Sequence, residues 1–110
     1  MIIIYIVCKD KEEAKKISRH LLGLRLAACA NMFPIESSYW WEGKIEDAQE
    51  VVLLVKTLKR NFEKIKREVK NLHSYQIPCI FSLKAHRTDK SYYHWLKKEA
   101  LGFKKPSKKV

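Results

Sequence analysis

Cys8, His73 and Cys79 are the side chains in this sequence best suited to hold a soft metal ion or to take part in redox chemistry. Thiolate and imidazole ligands favour Cu(I) and Zn(II) over hard cations. The chain contains no CxxC or HExxH motif and no Gly-rich phosphate-binding loop, so no short motif assembles a site by itself. If these three residues act together, the fold must bring them together.

The strands that would position these residues are predicted from β-branched, apolar runs. Four such runs occur, at residues 1–8, 25–33, 50–57 and 79–86. Pro34 interrupts the second run, which then resumes towards Trp41. A charged turn at 42–47 leads back into the third run, so the second and third strands are expected to form a long hairpin.

Three helices are predicted between and after these strands. Asp10 and Glu13 suggest a capping box for the first helix, and Gly23 is a natural stop for it. Thr57 could cap the second helix. The apolar positions of that helix recur at steps of three and four residues, at Phe62, Ile65, Val69 and Leu72. A short final helix is expected over 91–101, ending at Gly102.

The element order βαββαβ, followed by one more helix, predicts an α+β, ferredoxin-like fold. Right-handed crossovers give an antiparallel sheet of strand order 4-1-3-2 with the helices on one face. The chain reads as a single domain over residues 1–103, followed by a basic tail at 104–110.

This topology makes a shared site of Cys8, His73 and Cys79 plausible. The first and fourth strands are neighbours, Cys8 ends one, Cys79 begins the other, and the second helix ends beside them at His73. Two alternatives compete with the metal or redox site. The cysteines could be plain packing residues with His73 solvated, or they could pair as a disulfide, which is unusual in the cytosol outside hyperthermophiles.

Cys29 is interpreted differently because it begins the second strand, at the sheet end opposite Cys8. Small neighbours, Ala27 and Ala28, suit tight packing there, so a buried and inert thiol is expected. A role as a metal ligand is the weaker alternative, since no ligand spacing surrounds it.

Tyr39, Trp40 and Trp41 stand side by side in the predicted hairpin. Successive strand residues point to opposite faces, so Trp40 would face one side and Tyr39 and Trp41 the other. The predicted fold leaves one sheet face without helices. We therefore expect these three residues to lie at an interface with other copies of the chain. A core corner or a small-ligand pocket is the alternative.

The net charge of +11 over 110 residues raises the possibility of a nucleic-acid-binding module. RNA-recognition motifs share the βαββαβ order and stack bases on aromatic residues of the first and third strands. Here the third strand is aliphatic from Val51 to Val55, and Tyr5 is the one aromatic of the first. Specific nucleic-acid binding is therefore disfavoured, and a solvated helix face with a basic tail explains the charge more simply.

The sequence also bears on catalysis and location. It carries no nucleophile motif of a known kind, which favours a binding protein over an enzyme. No apolar run has the length of a membrane span, and no signal peptide precedes the first strand. A cytoplasmic protein without a membrane partner is therefore expected.

Three segments resemble the CutA divalent-cation-tolerance proteins: RLAACANMFPIESSYWWEGKIEDAQEVVLLVKT at 25–57, HSYQIPCI at 73–80 and YYHWL at 92–96. The resemblance implies a ferredoxin-like homotrimer akin to the PII signalling trimers. It implies binding of copper or another divalent cation, and a cytoplasmic location. A signalling trimer that binds a partner protein, itself unidentified, is a further reading.

The same resemblance implies a ligand set and two departures from the family. Cys8, His73 and Cys79 match positions implicated in copper binding, with Cys79 standing where the family usually has Glu. His73-Ser74-Tyr75 replaces the family's His-Pro-Tyr. A thiolate in place of a carboxylate would favour copper, as Cu(I) or Cu(II), or zinc. No organic cofactor is expected.

Overall fold

Four strands form one antiparallel sheet in the computed structural model, which describes residues 1–102. They are β1 (Ile2–Cys8), β2 (Cys29–Trp41), β3 (Lys44–Thr57) and β4 (Ile80–Lys84). Their order across the sheet is β2-β3-β1-β4, which is the predicted order 4-1-3-2 read from the other edge. The fold-class prediction is confirmed, while the tail at 104–110 lies outside the described residues.

Three α-helices complete the described part of the chain. They are α1 (Lys11–Gly23), α2 (Phe62–Leu72) and α3 (Lys90–Glu99), with a 3-10 turn at Lys59–Asn61 ahead of α2. None of the helices within residues 1–102 is long and apolar enough to cross a membrane.

The core lies between the sheet and the helices α1 and α2. Ile2, Ile4, Ile6 and Cys8 are buried on this face of β1 and alternate with half-buried residues on the other face. From α1 and α2 the core receives Ala14, Ile17, Leu21, Ile65 and Val69. The two-residue period of β1 therefore assigns Cys8 to the helix-covered face. We call the other side of the sheet the open face.

The ends of α1 follow the predicted capping only in part. The Asp10 carboxylate accepts the Glu13 N–H at 2.8 Å, as expected of an N-cap. Glu13 reaches back to the Lys9 N–H at 2.8 Å, one residue before the usual capping-box partner. At the other end, α1 stops at Gly23, as predicted. Arg25, two residues later, adopts the left-handed backbone conformation, with φ of 61°, and its N–H donates to the Leu22 carbonyl.

The β2–β3 hairpin closes through a two-residue turn, Glu42-Gly43. Both residues have positive φ, 50° and 83°, as a type I′ turn requires. Ladder pairing runs from Cys29 opposite Lys56 to Trp41 opposite Lys44, so the hairpin extends well past the other two strands. The described chain is accordingly elongated, 55 Å along its longest axis.

The prediction that Thr57 caps α2 is wrong. Its hydroxyl donates instead to the Leu26 carbonyl at 2.6 Å, because Thr57 points into the core from the last position of β3. Asn61 joins the same group and donates to Leu26 at 3.2 Å and to the Ala100 carbonyl at 3.3 Å. This buried polar group fixes the C-cap of α3 against the connection between α1 and β2.

Candidate metal centre

Cys8, Glu13 and His73 form a cluster at one end of the helix-covered face. One potential ligand atom from each residue lies within 4.8 Å of the other two. Cys8 is fully buried, Glu13 is 7% exposed, and the His73 side chain has no solvent exposure. A thiol, a carboxyl group and an imidazole thus share one protected space, which we call the Cys8–Glu13–His73 cluster.

Three elements end or begin at this cluster. Cys8 is the last residue of β1 and points towards the helices. The Asp10 cap starts α1 immediately afterwards, which places Glu13 in the first helical turn. His73 is the C-cap of α2, where its N–H donates to the Val69 carbonyl at 2.8 Å. The short β1–α1 connection and the end of α2 therefore build the cluster.

Glu13 is the charged member of the cluster. Burial alone would raise its pKa, but the N–H groups of Lys9 and Ser74 together hold the pKa below its ordinary value. Ser74 N–H donates to Glu13 Oε2 at 2.7 Å. Glu13 is therefore an ionised carboxylate at neutral pH, despite its burial.

The His73 ring is hydrogen-bonded through both nitrogens. Nε2 lies 2.7 Å from the Val7 carbonyl oxygen, which can only accept, so Nε2 carries the proton. Nδ1 accepts the Tyr75 N–H at 3.0 Å and lies 3.9 Å from Glu13 Oε2. His73 is therefore neutral, with its single lone pair at Nδ1 directed into the cluster.

The Cys8 thiol keeps its proton in this environment. Burial, followed by the charges of Glu13, Asp10 and Glu50, raises its pKa to about 12. Donor types suit zinc or copper, since Cys, His and Glu are all zinc ligands and the first two also suit copper. Binding there would require loss of the Cys8 proton and release of Nδ1 by Tyr75. The donor set fits a cation once those two conditions are met.

The structure places Cys79 outside this cluster. Its carbonyl accepts the Val7 N–H at 3.3 Å, and the next residue, Ile80, pairs with Ile6. Register therefore aligns Cys79 with Val7 on the open face, whereas Cys8 faces the helices. Of the three ligands predicted from the sequence, Cys8 and His73 meet. Cys79 lies at the same end of the sheet but on its other side, and all three cysteines are free thiols.

Cys29 lies at the opposite end of the sheet, as predicted, but it is only partly buried. It is the first residue of β2 and pairs with Lys56, so its side chain lies on the open face, away from the core. The expectation of full burial is wrong because the register places Cys29 on the open face.

A groove of about 650 Å³ lies on the open face near the cluster. Tyr75 spans one side of it and donates its hydroxyl to Glu50 Oε2 at 2.6 Å. Glu50 is 7% exposed, and Cys79 lines the same groove. Burial and the Glu50 carboxylate raise the pKa of Tyr75 above its usual range. Burial and Glu50 likewise raise the pKa of the Cys79 thiol.

The hairpin aromatics divide between the two faces as the sequence predicts. Tyr39 and Trp41 lie on the open face and line the groove. Trp40 pairs with Ile45 on the reverse side, and these two side chains are 72% and 63% exposed. The expected burial of the hairpin against another copy concerns an assembly, and it stays a prediction.

Sequence reasoning missed Glu13, Tyr75 and Glu50 as members of this region. The sequence indicated Glu13 only as a capping residue. Its place in the Cys8–Glu13–His73 cluster became evident from its contact with Ser74. Glu50 begins the apolar run of the third strand, where a carboxylate on a sheet face requires a partner. Its partner, Tyr75, comes from a loop, so no periodic pattern could have found it.

The family model and the most similar curated proteins point to the same family. The sequence matches the CutA1 divalent ion tolerance protein family over residues 2–99. It is 46% identical over 93 residues to the divalent-cation tolerance protein CutA of Archaeoglobus fulgidus, covering 84% of this chain and 91% of that protein. The CutA of Pyrococcus horikoshii is 40% identical over 99 residues, with 90% and 97% covered.

Solved structures agree with the fold. The periplasmic divalent cation tolerance protein CutA from Archaeoglobus fulgidus superposes with a TM-score of 0.89 at 44% identity, covering 91% of this chain and 99% of that one. CutA1 from Pyrococcus horikoshii gives a TM-score of 0.87 at 39% identity, with 90% and 97% covered.

Proposed function

Because this chain belongs to the CutA1 divalent ion tolerance family, we propose that it binds a cation at the Cys8–Glu13–His73 cluster and functions in metal tolerance as a homotrimer. The observation that carries the metal site is the meeting of a thiol, a carboxylate and an imidazole within 4.8 Å. The Cys8 thiolate, His73 Nδ1 and a Glu13 oxygen would be the protein ligands.

Copper or zinc suits this ligand set. Zinc accepts sulfur, nitrogen and oxygen ligands together, whereas Cu(I) gains most from sulfur. With Cys79 on the other side of the sheet, the cluster offers one thiolate rather than two. The cation would hold Glu13 and the end of α2 to the end of β1, and no catalytic role is proposed for it.

A competition titration with Zn(II) and Cu(I) chelators tests the site. We expect Cys8→Ser and His73→Ala to weaken binding at least about tenfold, since each removes a ligand. Cys79→Ser is the matched control and should leave affinity unchanged. Equal affinity in wild type, Cys8→Ser and His73→Ala would refute the site. Loss in Cys79→Ser with none in Glu13→Gln would favour the set Cys8, His73 and Cys79.

The homotrimer is proposed from the apolar open face. Phe33, Tyr39, Trp41, Phe81 and Leu83 are exposed there, with Leu83 at 51%. Tyr5 stacks on Phe81 with ring centroids 4.9 Å apart, which leaves a flat aromatic surface beside the groove. A soluble monomer rarely exposes an apolar patch of this extent. Neighbouring copies would cover it, and the long hairpin would reach across to them.

Sedimentation of the wild-type chain at micromolar concentration tests this assembly, and a monomer would contradict it. We expect Phe81→Lys to dissociate the trimer because it puts a charge into the covered face. Leu22→Lys is the control. Leu22 is 37% exposed and Phe81 is 43% exposed, but Leu22 lies on α1 and not on the open face.

Two other readings stay predictions. A PII-like trimer that signals to a partner protein is compatible with the same site and assembly. Specific nucleic-acid binding gains no support from β3, because the register places Val52 and Leu54 on the open face where stacking aromatics would be needed.

A cytoplasmic location is proposed from the free thiols of Cys8, Cys29 and Cys79, since thiols persist most readily in a reducing compartment. Cell fractionation followed by immunoblotting checks this, and recovery in a periplasmic or secreted fraction would contradict it.

A further inference from the structure

Two consecutive backbone N–H groups lie over the Cys8–Glu13–His73 cluster. Ser74 N–H donates to Glu13 Oε2 at 2.7 Å, and Tyr75 N–H donates to His73 Nδ1 at 3.0 Å. These donors point at the same atoms that a cation would use. The segment that follows α2 is thereby docked onto the cluster.

The two hydrogen bonds differ in how a cation would affect them. A carboxylate oxygen has two lone pairs, so Glu13 could keep the Ser74 N–H while binding a cation. The nitrogen Nδ1 has one lone pair, and Nε2 is already protonated because it donates to the Val7 carbonyl. His73 can therefore hold either the Tyr75 N–H or a cation at Nδ1, but not both.

Tyr75 connects this choice to the open face. Its hydroxyl donates to Glu50 Oε2 at 2.6 Å, and its ring packs against His73 with centroids 4.9 Å apart. Glu50 is 7% exposed and lies in the wall of the groove. A single residue thus bonds the cluster through its backbone and the groove through its side chain.

We propose that a cation bound at His73 Nδ1 displaces the Tyr75 N–H, so that Tyr75 also leaves Glu50 and uncovers that carboxylate in the groove. Occupation of the cluster and closure of Tyr75 are mutually exclusive in this arrangement. The exposure of the Glu50 carboxylate on the open face therefore depends on whether the cluster holds a cation. This inference rests on the proposed metal site and adds to it a response on the other side of the sheet.

The first test is a competition titration of the full chain with Zn(II). It uses the thermodynamic linkage between zinc binding and breakage of the Tyr75–Glu50 hydrogen bond. If binding must break the Tyr75–Glu50 hydrogen bond, Tyr75→Phe removes that cost and should bind zinc about tenfold more tightly, the effect of losing one hydrogen bond to a charged group. Tyr39→Phe is the matched control. Tyr39 lines the same groove, but its hydroxyl makes no hydrogen bond within residues 1–102, so its affinity should equal that of wild type.

Amide hydrogen exchange gives a second test that does not depend on a variant. Zinc should speed exchange of the Tyr75 N–H in the wild-type protein, because that group loses its acceptor. Slower exchange at Tyr75, or equal zinc affinity in Tyr75→Phe and wild type while Cys8→Ser weakens it, would overturn the inference and leave the metal site standing. A wild-type chain that binds neither zinc nor Cu(I) would overturn both.

Discussion

The Cys8 thiol sets the pH dependence expected of metal binding. Burial and the nearby carboxylates raise its pKa to about 12, so it is protonated throughout the physiological range. A metal ligand must be a thiolate, so a bound cation has to displace this proton. We predict that zinc affinity rises about tenfold per pH unit from roughly pH 6 to 8, because one proton is released per cation.

Chelator competition at several pH values, together with direct measurement of proton release, checks this prediction. The pH dependence of the chelator itself has to be subtracted. Affinity that does not change over the range would mean that Cys8 is not a ligand or that its thiol is already ionised.

Glu13 sets a different pH dependence, that of stability. Its pKa is lowered in the folded chain from an ordinary 4.5. Because the pKa of Glu13 is lower in the folded chain than in the unfolded chain, ionised Glu13 stabilises the folded state, fully so above the unfolded pKa. This stabilisation is lost as the pH falls from about 4.5 through the pKa of the folded chain. We predict that Glu13→Gln lowers the free energy of unfolding at neutral pH and flattens its acid dependence.

Urea denaturation at a series of pH values measures this effect. Glu12→Gln is the control, because Glu12 occupies the same helical turn but is exposed. An acid dependence as steep in Glu13→Gln as in wild type would assign the effect to other groups.

At the residue scale, the predicted meeting of Cys8 and His73 is confirmed, whereas Cys79 does not join them, for a geometric reason. Strand order showed that Cys8 and Cys79 lie at the same end of neighbouring strands. The face is set by register, and Cys79 aligns with Val7 rather than with Cys8. A shift of one residue moves a side chain across the sheet, and strand order alone does not specify that shift.

At the scale of elements, the two-residue hairpin turn allows the energetic cost of a positive φ to be measured at Gly43. A Cβ added at Gly43 or at Gly23 would meet nothing within 4 Å, so neither substitution is opposed by contacts. Gly43 has φ of 83°, whereas Gly23 is the last residue of α1. We predict that Gly43→Ala destabilises the protein by about 1 kcal/mol, while Gly23→Ala stabilises it by up to about 1 kcal/mol.

Chemical denaturation of both variants at equal protein concentration gives the two differences. Opposite signs are the expected outcome. Destabilisation by Gly23→Ala would show that this position needs a conformation that alanine does not adopt.

The existence and order of the elements were largely predictable, whereas several boundaries were not. Apolar periodicity identified each strand and helix. The second strand was predicted from residue 25 but begins at Cys29. The sequence also did not reveal that Thr57 points into the core instead of capping α2. The position of Thr57 depends on a tertiary partner, the Leu26 carbonyl, which local patterns do not contain.

For the whole molecule, assembly and stability should be linked. If neighbouring copies bury the open face, folding is coupled to association, and the melting temperature rises with protein concentration. We predict this rise for the wild-type chain and its loss in Phe81→Lys. Calorimetry across a hundredfold concentration range measures it, and a constant wild-type melting temperature would be the opposing result.

The placement of Cys8 and Cys79 on opposite sides of the sheet also has an evolutionary consequence. A substitution at position 79 alters the groove without changing a member of the Cys8–Glu13–His73 cluster, and one at position 8 does the reverse. Lineages could therefore exchange a thiol for a carboxylate at position 79 while selection on cation affinity acts elsewhere. The chemistry of the groove and the affinity for a cation could then diverge independently, although Cys79 and Cys8 lie on opposite faces of the same sheet.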